Sequence, residues 1–226
     1  DVAAGDSFGL AHLDVPSSEK ESWKCAILDA TIVAELLGSR PGADPMTERI
    51  LVAGAGALGT VFGGFLAAAG YDVTLLGRRA HLAAIASDGL ALEGLWGERR
   101  VRELTVAVVV EELQGPFDAD LLTVKSYDTA AMLDAITGLV APDGCVIALQ
   151  NGLGNVEQVA MAVGPARAVG GRVIFGATIP SPGVARVTVF ADPIALGAAM
   201  TGTPAAERHA REWAERFATA GIPTEL

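Results

Sequence analysis

Three glycines in Ile50-Leu51-Val52-Ala53-Gly54-Ala55-Gly56-Ala57-Leu58-Gly59 constrain this chain more than any other feature. They are spaced GxGxxG, directly after a short apolar run and directly before a longer one. Residues 50–53 read as a strand, residues 60–69 as a helix stopped by Gly70, and residues 73–76 as a second strand. Strand, glycine turn, helix and strand make a βαβ unit. In that setting Gly54 permits the tight turn, Gly56 leaves space for a pyrophosphate, and Gly59 lets the helix pack on the strand. The helix N-terminus adds free N–H groups and the positive end of its dipole. A dinucleotide site is therefore expected at Gly54, Ala55, Gly56, Ala57, Leu58 and Gly59. A glycine-rich turn that holds no ligand is the alternative.

The remainder of the chain continues the alternation. Strands are expected at residues 104–110, 121–124, 145–149, 168–175 and 184–190, and helices at 79–87, 128–139, 156–163 and 205–220. This order predicts an α/β fold with a doubly wound, Rossmann-type parallel sheet. The short segments at 90–93 and 184–189 fit antiparallel additions at its edge. Upstream, the turn-rich stretch Ser39-Arg40-Pro41-Gly42-Ala43-Asp44-Pro45 marks a boundary, and Met46 looks like a natural start. The expected division is a leader or fusion remnant at 1–45 and a nucleotide-binding domain at 46–226.

Composition excludes several classes of function. The formal net charge of -11 opposes binding to a phosphate backbone, and no Lys/Arg cluster offsets it. The two cysteines, Cys25 and Cys145, have neither disulfide-framework nor metal-ligand spacing. No apolar run reaches the roughly 20 residues of a membrane span. The expectation is a soluble, cytoplasmic protein without a metal, a nucleic-acid partner or a membrane partner.

The second strand bears on which dinucleotide is bound. An NAD site places Asp or Glu at the end of this strand to hold the ribose 2′-hydroxyl. Here the strand ends Thr74-Leu75-Leu76-Gly77-Arg78-Arg79, while Asp72 stands at the opposite end. Guanidinium groups suit a 2′-phosphate, so NADP(H) is the expected cofactor, although the two arginines also fit a solvated helix start. Lys125 follows an apolar strand, at the edge where open α/β sheets bind ligands, and is the only lysine after Lys24. A snorkelling surface residue is its other reading. Asn151-Gly152 is first a turn signal; beside a nicotinamide, the Asn151 amide could also donate and accept hydrogen bonds.

The segments Asp120-Leu121-Leu122-Thr123-Val124-Lys125-Ser126-Tyr127-Asp128-Thr129 and Leu149-Gln150-Asn151-Gly152-Leu153-Gly154-Asn155-Val156-Glu157, together with the glycine motif, resemble the ketopantoate reductase family. The resemblance implies NADPH-dependent reduction of 2-dehydropantoate to pantoate, on the route to pantothenate and coenzyme A. It implies that Arg78 and Lys125 pair with the 2′-phosphate and that Asn151 lies beside the nicotinamide and the substrate. Phe175-Gly176-Ala177, followed by Pro182-Gly183-Val184, extends the likeness, with Ala177 meeting the cofactor through its backbone.

The resemblance also implies a catalytic lysine, in a Trp-x-Lys context on a helix of a C-terminal domain. Trp213 is followed two residues later by Glu215, and no lysine comes after Lys125. The expectation is a chain whose helical substrate domain and catalytic residue lie beyond Leu226, and which alone turns over negligibly. His12, His81 and His209 read as surface residues. Two alternatives stay open: a non-catalytic NADP(H)-binding module, or a reductase of another small 2-keto acid. Ala3-Ala4-Gly5-Asp6-Ser7-Phe8 resembles a turn near the C-terminus of ribokinase-like sugar kinases, where Asp6 would be the base, but no kinase activity is expected.

Overall fold

The computed structural model describes residues 48–225. The expected leader, with Asp6 and His12, lies outside them. The expected βαβ unit is present as β1 (Arg49–Ala53), α1 (Ala57–Ala68) and β2 (Asp72–Leu76), with β1 and β2 parallel and Val52 opposite Leu75. There follow α2 (Arg79–Asp88), β3 (Leu90–Gly94), β4 (Arg99–Val101), β5 (Thr105–Ala107) and β6 (Phe117–Leu122). Then come α3 (Thr129–Ile136), β7 (Val140–Ala148), α4 (Asn155–Val163) and β8 (Ala168–Arg172). The chain continues through β9 (Phe175–Ser181), β10 (Val184–Phe190), β11 (Ala195–Ala198) and α5 (Pro204–Thr219).

Seven strands form the main sheet in the order β11-β8-β7-β6-β1-β2-β5. All its pairings are parallel except the edge pair of β8 and β11, which is the antiparallel addition. The segments expected as further edge additions are placed differently. β3 and β10 pair with each other in parallel, and with β4 and β9 they make a separate four-stranded sheet, β4-β3-β10-β9. The strand expected at 168–175 is likewise divided, since β8 belongs to the main sheet and β9 to the second.

Helix α1 lies between these two sheets. Nine consecutive residues, Gly59 to Ala67, are buried, so this helix has no solvent face over that stretch. Its adjacent glycines explain how both sheets approach. A Cβ on Gly63 would stand 2.5 Å from Leu75 Cδ2 of the main sheet, and one on Gly64 would stand 2.6 Å from Leu90 Cδ2 of the second. Each glycine costs roughly 1 kcal/mol of helix propensity relative to alanine. The close packing that each permits, on opposite sides of one helix, offsets that cost. Phe62 and Phe65 then anchor an aromatic group in which Phe62 meets Phe175 and Phe217, and Phe65 meets Trp96 edge-on.

Trp213 is a core residue, 3% exposed and packed on Tyr71 and Phe217. His81 departs from its surface reading. It is buried, with Nε2 3.1 Å from Thr60 Oγ1, and its Nδ1 accepts the Gly183 N–H at 3.1 Å. That second bond leaves the ring proton on Nε2, which donates to Thr60, and burial holds the imidazole pKa below its ordinary value. His81 thus ties α2 to α1 and to the β9–β10 turn as a neutral group. His209 is half-buried on α5, its pKa also lowered, chiefly by burial. Among the described residues, no helix is long and apolar enough to cross a membrane.

Candidate dinucleotide site

The strand order reverses at β1. From β1 the chain proceeds to β2 and β5 on one side, and then returns to place β6, β7 and β8 on the other. The crevice outside the carboxyl ends of strands at such a switch point is where open α/β sheets bind ligands. Four post-strand segments converge on this edge: Gly54 after β1, Gly77-Arg78 after β2, Thr123 to Lys125 after β6, and Gln150-Asn151 after β7.

The glycine turn is held by backbone and side chain together. Gly54 and Ala55 both donate their N–H to Leu76 O, at 3.1 and 2.7 Å, and Gly56 N–H reaches Gly54 O at 2.7 Å. Thr123 Oγ1 donates to Gly54 O at 2.8 Å, so the segment after β6 clamps the turn after β1. Gly54 has φ +115°, and a Cβ there would lie 2.6 Å from Val124 N. A Cβ on Gly59 would run into Gly54 O and stand 2.5 Å from Thr123 Oγ1. Gly56 is different. It is exposed, and the nearest atom to a Cβ built there is 4.0 Å away, so its openness is toward the crevice. Helix α1 starts at Ala57 with no side-chain cap and no acidic residue in its first turn, leaving its N-terminal dipole unopposed by the helix's own side chains.

A cleft of about 390 Å³ opens at this edge. One wall is Gly56, Ala57 and Leu58; facing residues include Lys125, Asn151 and Ala177. Six of the ten expected site residues therefore line one cavity. Ala177 reaches it from β9, so the second sheet supplies part of the wall, along with Phe175 and Gly176. Gly54, Ala55 and Gly59 lie beneath the lining as its support. Arg78 is not in the lining. It is exposed on the β2 side of the glycine turn, next to Gly77, where a Cβ would stand 2.8 Å from Ala55 Cβ. Neither Arg78 nor Lys125 has an ion-pair partner among the described residues.

Lys125 was expected directly after a strand ending at residue 124, but β6 ends at Leu122, so Lys125 stands three residues beyond it. Thr123 instead donates its N–H to Ala53 O at 2.9 Å and turns the chain into the cleft. Thr123 and Gln150 are cleft residues that reading for charge and glycine passed over. Their signal was position, directly after an apolar strand of a parallel sheet. Cys145 lies within β7, fully buried, and its thiol is pushed up to about 12, first by burial and then by the nearby Asp120, so it is no nucleophile.

Among known proteins, residues 50–200 match the family described as Ketopantoate reductase PanE/ApbA. The 2-dehydropantoate 2-reductase of Aquifex aeolicus (strain VF5) is 33% identical over 179 residues, which is 79% of this chain and 55% of that protein. The crystal structure of 2-dehydropantoate 2-reductase from Geobacter metallireducens GS-15 is similar with a TM-score of 0.70 and 32% identity. That match covers 78% of this chain and 57% of that one. A ternary structure of D-mandelate dehydrogenase with NADH and anilino(oxo)acetate has a TM-score of 0.66 and 27% identity, covering 78% of this chain and 56% of the other. The chain spans about half the length of the curated relatives it matches. The family match runs from β1 through every strand that borders the cleft, and on that ground this chain belongs to the ketopantoate reductase family.

Proposed function

We propose that residues 46–226 are the cofactor-binding domain of an NADPH-dependent 2-dehydropantoate 2-reductase, which reduces its substrate to pantoate in the cytoplasm. The observation that carries this reading is the single cleft that joins the glycine turn to Lys125 and Asn151 at the switch point. The residues fit the cofactor. Gly54 and Gly59 occupy positions that a Cβ would fill, while Gly56 is open where a pyrophosphate would approach. The N–H groups of Ala57 and Leu58 hold the phosphates at the uncapped start of α1. Arg78 and Lys125 neutralise the 2′-phosphate, and Asn151 orients the nicotinamide and the keto acid. The reduced nicotinamide supplies the hydride for the ketone when bound. Another 2-keto acid is the second reading, favoured by the likeness to D-mandelate dehydrogenase.

Titration of the chain with NADPH and with NADH, followed by nucleotide fluorescence, tests the cofactor assignment. Tighter binding of NADPH is expected, and equal affinities would remove the 2′-phosphate from the reading. Lys125→Ala is expected to weaken NADPH binding more mildly than loss of Arg78, since an ammonium is a point charge without a guanidinium's fork. An unchanged affinity would return Lys125 to the solvated surface. In the full-length protein, comparing 2-dehydropantoate with other 2-oxo acids by NADPH oxidation separates the two substrate readings.

A further inference from the structure

Beneath the Asn151 turn, hydrogen bonds join four side chains, Ser126, Asn155, Thr129 and Gln150, and their polarity can be worked out in full. Asn155, 3% exposed at the start of α4, places Nδ2 3.2 Å from each of Asn151 O, Gly152 O and Ser126 Oγ. Two of those three are backbone carbonyl oxygens, which only accept, so the amide nitrogen must face them. The Asn155 oxygen then faces Thr129 Oγ1 at 3.2 Å, and fully buried Thr129 must give it its one proton. Thr129 can therefore only accept from Gln150, whose Nε2 lies 2.9 Å away. Carbonyls at one end thus fix the Gln150 amide at the other, with its nitrogen on Thr129 and its oxygen turned away.

That oxygen has no hydrogen-bond partner and is closed to water, on a side chain nine-tenths buried that forms part of the cleft wall. A buried acceptor left unpaired costs roughly 1–3 kcal/mol. Among the described residues none donates to the Gln150 oxygen, whereas the cleft can bring a donor. Resting on the NADP(H) reading above, we propose that Gln150 is a cofactor-contacting residue whose Oε1 accepts a hydrogen bond from the nicotinamide nucleoside end of the dinucleotide. The direction follows from the sheet. With the pyrophosphate at β1 and the 2′-phosphate at Arg78 on the β2 side, the other nucleoside crosses β6 toward the end of β7, where Gln150 stands. A small rotation about the broad terminal torsion keeps Nε2 within reach of Thr129 and brings Oε1 to a donor held there. The donors available on that nucleoside are the carboxamide N–H and the ribose hydroxyls.

The test measures the affinities of NADP+, its acetylpyridine analogue, which lacks the carboxamide N–H, and 2′,5′-ADP, which lacks the nicotinamide nucleoside. They are compared for the unaltered chain, Gln150→Met and Thr129→Val. Gln150→Met keeps side-chain length and is expected to weaken NADP+ by about two- to tenfold, the range of one neutral hydrogen bond, with 2′,5′-ADP unchanged. Thr129→Val breaks the same internal bond but leaves Oε1, and should preserve more of the NADP+ affinity relative to 2′,5′-ADP. A preference for NADP+ over the acetylpyridine analogue that vanishes in Gln150→Met assigns the carboxamide, and one that persists assigns a ribose hydroxyl; both support the contact. Equal losses for NADP+ and 2′,5′-ADP, or no loss at all, would overturn it. Failure of the unaltered chain to bind either nucleotide would overturn the cofactor reading and this inference with it.

Discussion

Replacing Arg78 with alanine is expected to weaken NADPH binding by roughly ten- to a hundredfold and to leave NADH binding nearly unchanged. The guanidinium stands on extended backbone at the N-cap position of α2, exposed, without an ion-pair partner among the described residues. A cation at that end of a helix opposes the dipole, and α2 has no acidic residue in its first turn to relieve it. A bound dianion would relieve it. The contact is charge-assisted and can be bidentate, which places it near 1.5–3 kcal/mol. Because NADH lacks the 2′-phosphate, the ratio of the two affinities isolates this contact from any change in the fold. If alanine weakens both nucleotides by the same factor, Arg78 serves the β2–α2 turn and the NADP(H) preference must lie elsewhere.

Where local pattern and tertiary position agree, the structure was legible in the chain itself. The glycine turn combines an apolar strand before it, an apolar helix after it and three residues without side chains, and each of these is a local signal. The cleft residues Lys125 and Asn151 follow buried strands, and a parallel sheet carries such residues to one edge. The second sheet was less accessible. Its two hairpins are local, but the parallel pairing of β3 with β10 joins segments more than ninety residues apart, and nothing near Leu90 announces Val184 as its neighbour. β8 and β9 were read as one strand because no turn residue separates Arg172 from Phe175. β7 begins at Val140, ahead of expectation, because Pro142-Asp143-Gly144 reads as a turn although the strand runs through it. His81 looked solvated beside Arg79, but it is buried between Thr60 of α1 and the β9–β10 turn.

Asp120 is the residue least foreseeable from pattern, and replacing it is expected to stabilise the protein. It lies in β6 between Leu51 of β1 and Val146 of β7, at the centre of the main sheet, and is fully buried. Both carboxyl oxygens lack a hydrogen-bond partner, and burial pushes the pKa well above the ordinary carboxylate value. The acid thus holds its proton to higher pH in the fold than in the unfolded chain. Below about pH 4 both states hold the proton, and only the unpaired polar group counts, at roughly 1–3 kcal/mol. As pH rises, the unfolded state releases its proton first. Stability then falls by up to about 1.4 kcal/mol per pH unit until the folded value is reached. Asp120→Val supplies a β-branched side chain suited to a central strand and removes both costs. Urea denaturation at pH 4.5 and pH 7.5 should show the variant with the higher midpoint at both, and the gap should widen toward pH 7.5. A gap that stays constant would mean that Asp120 keeps the same proton in both states, and a less stable variant would mean that the carboxyl has a partner in the fold.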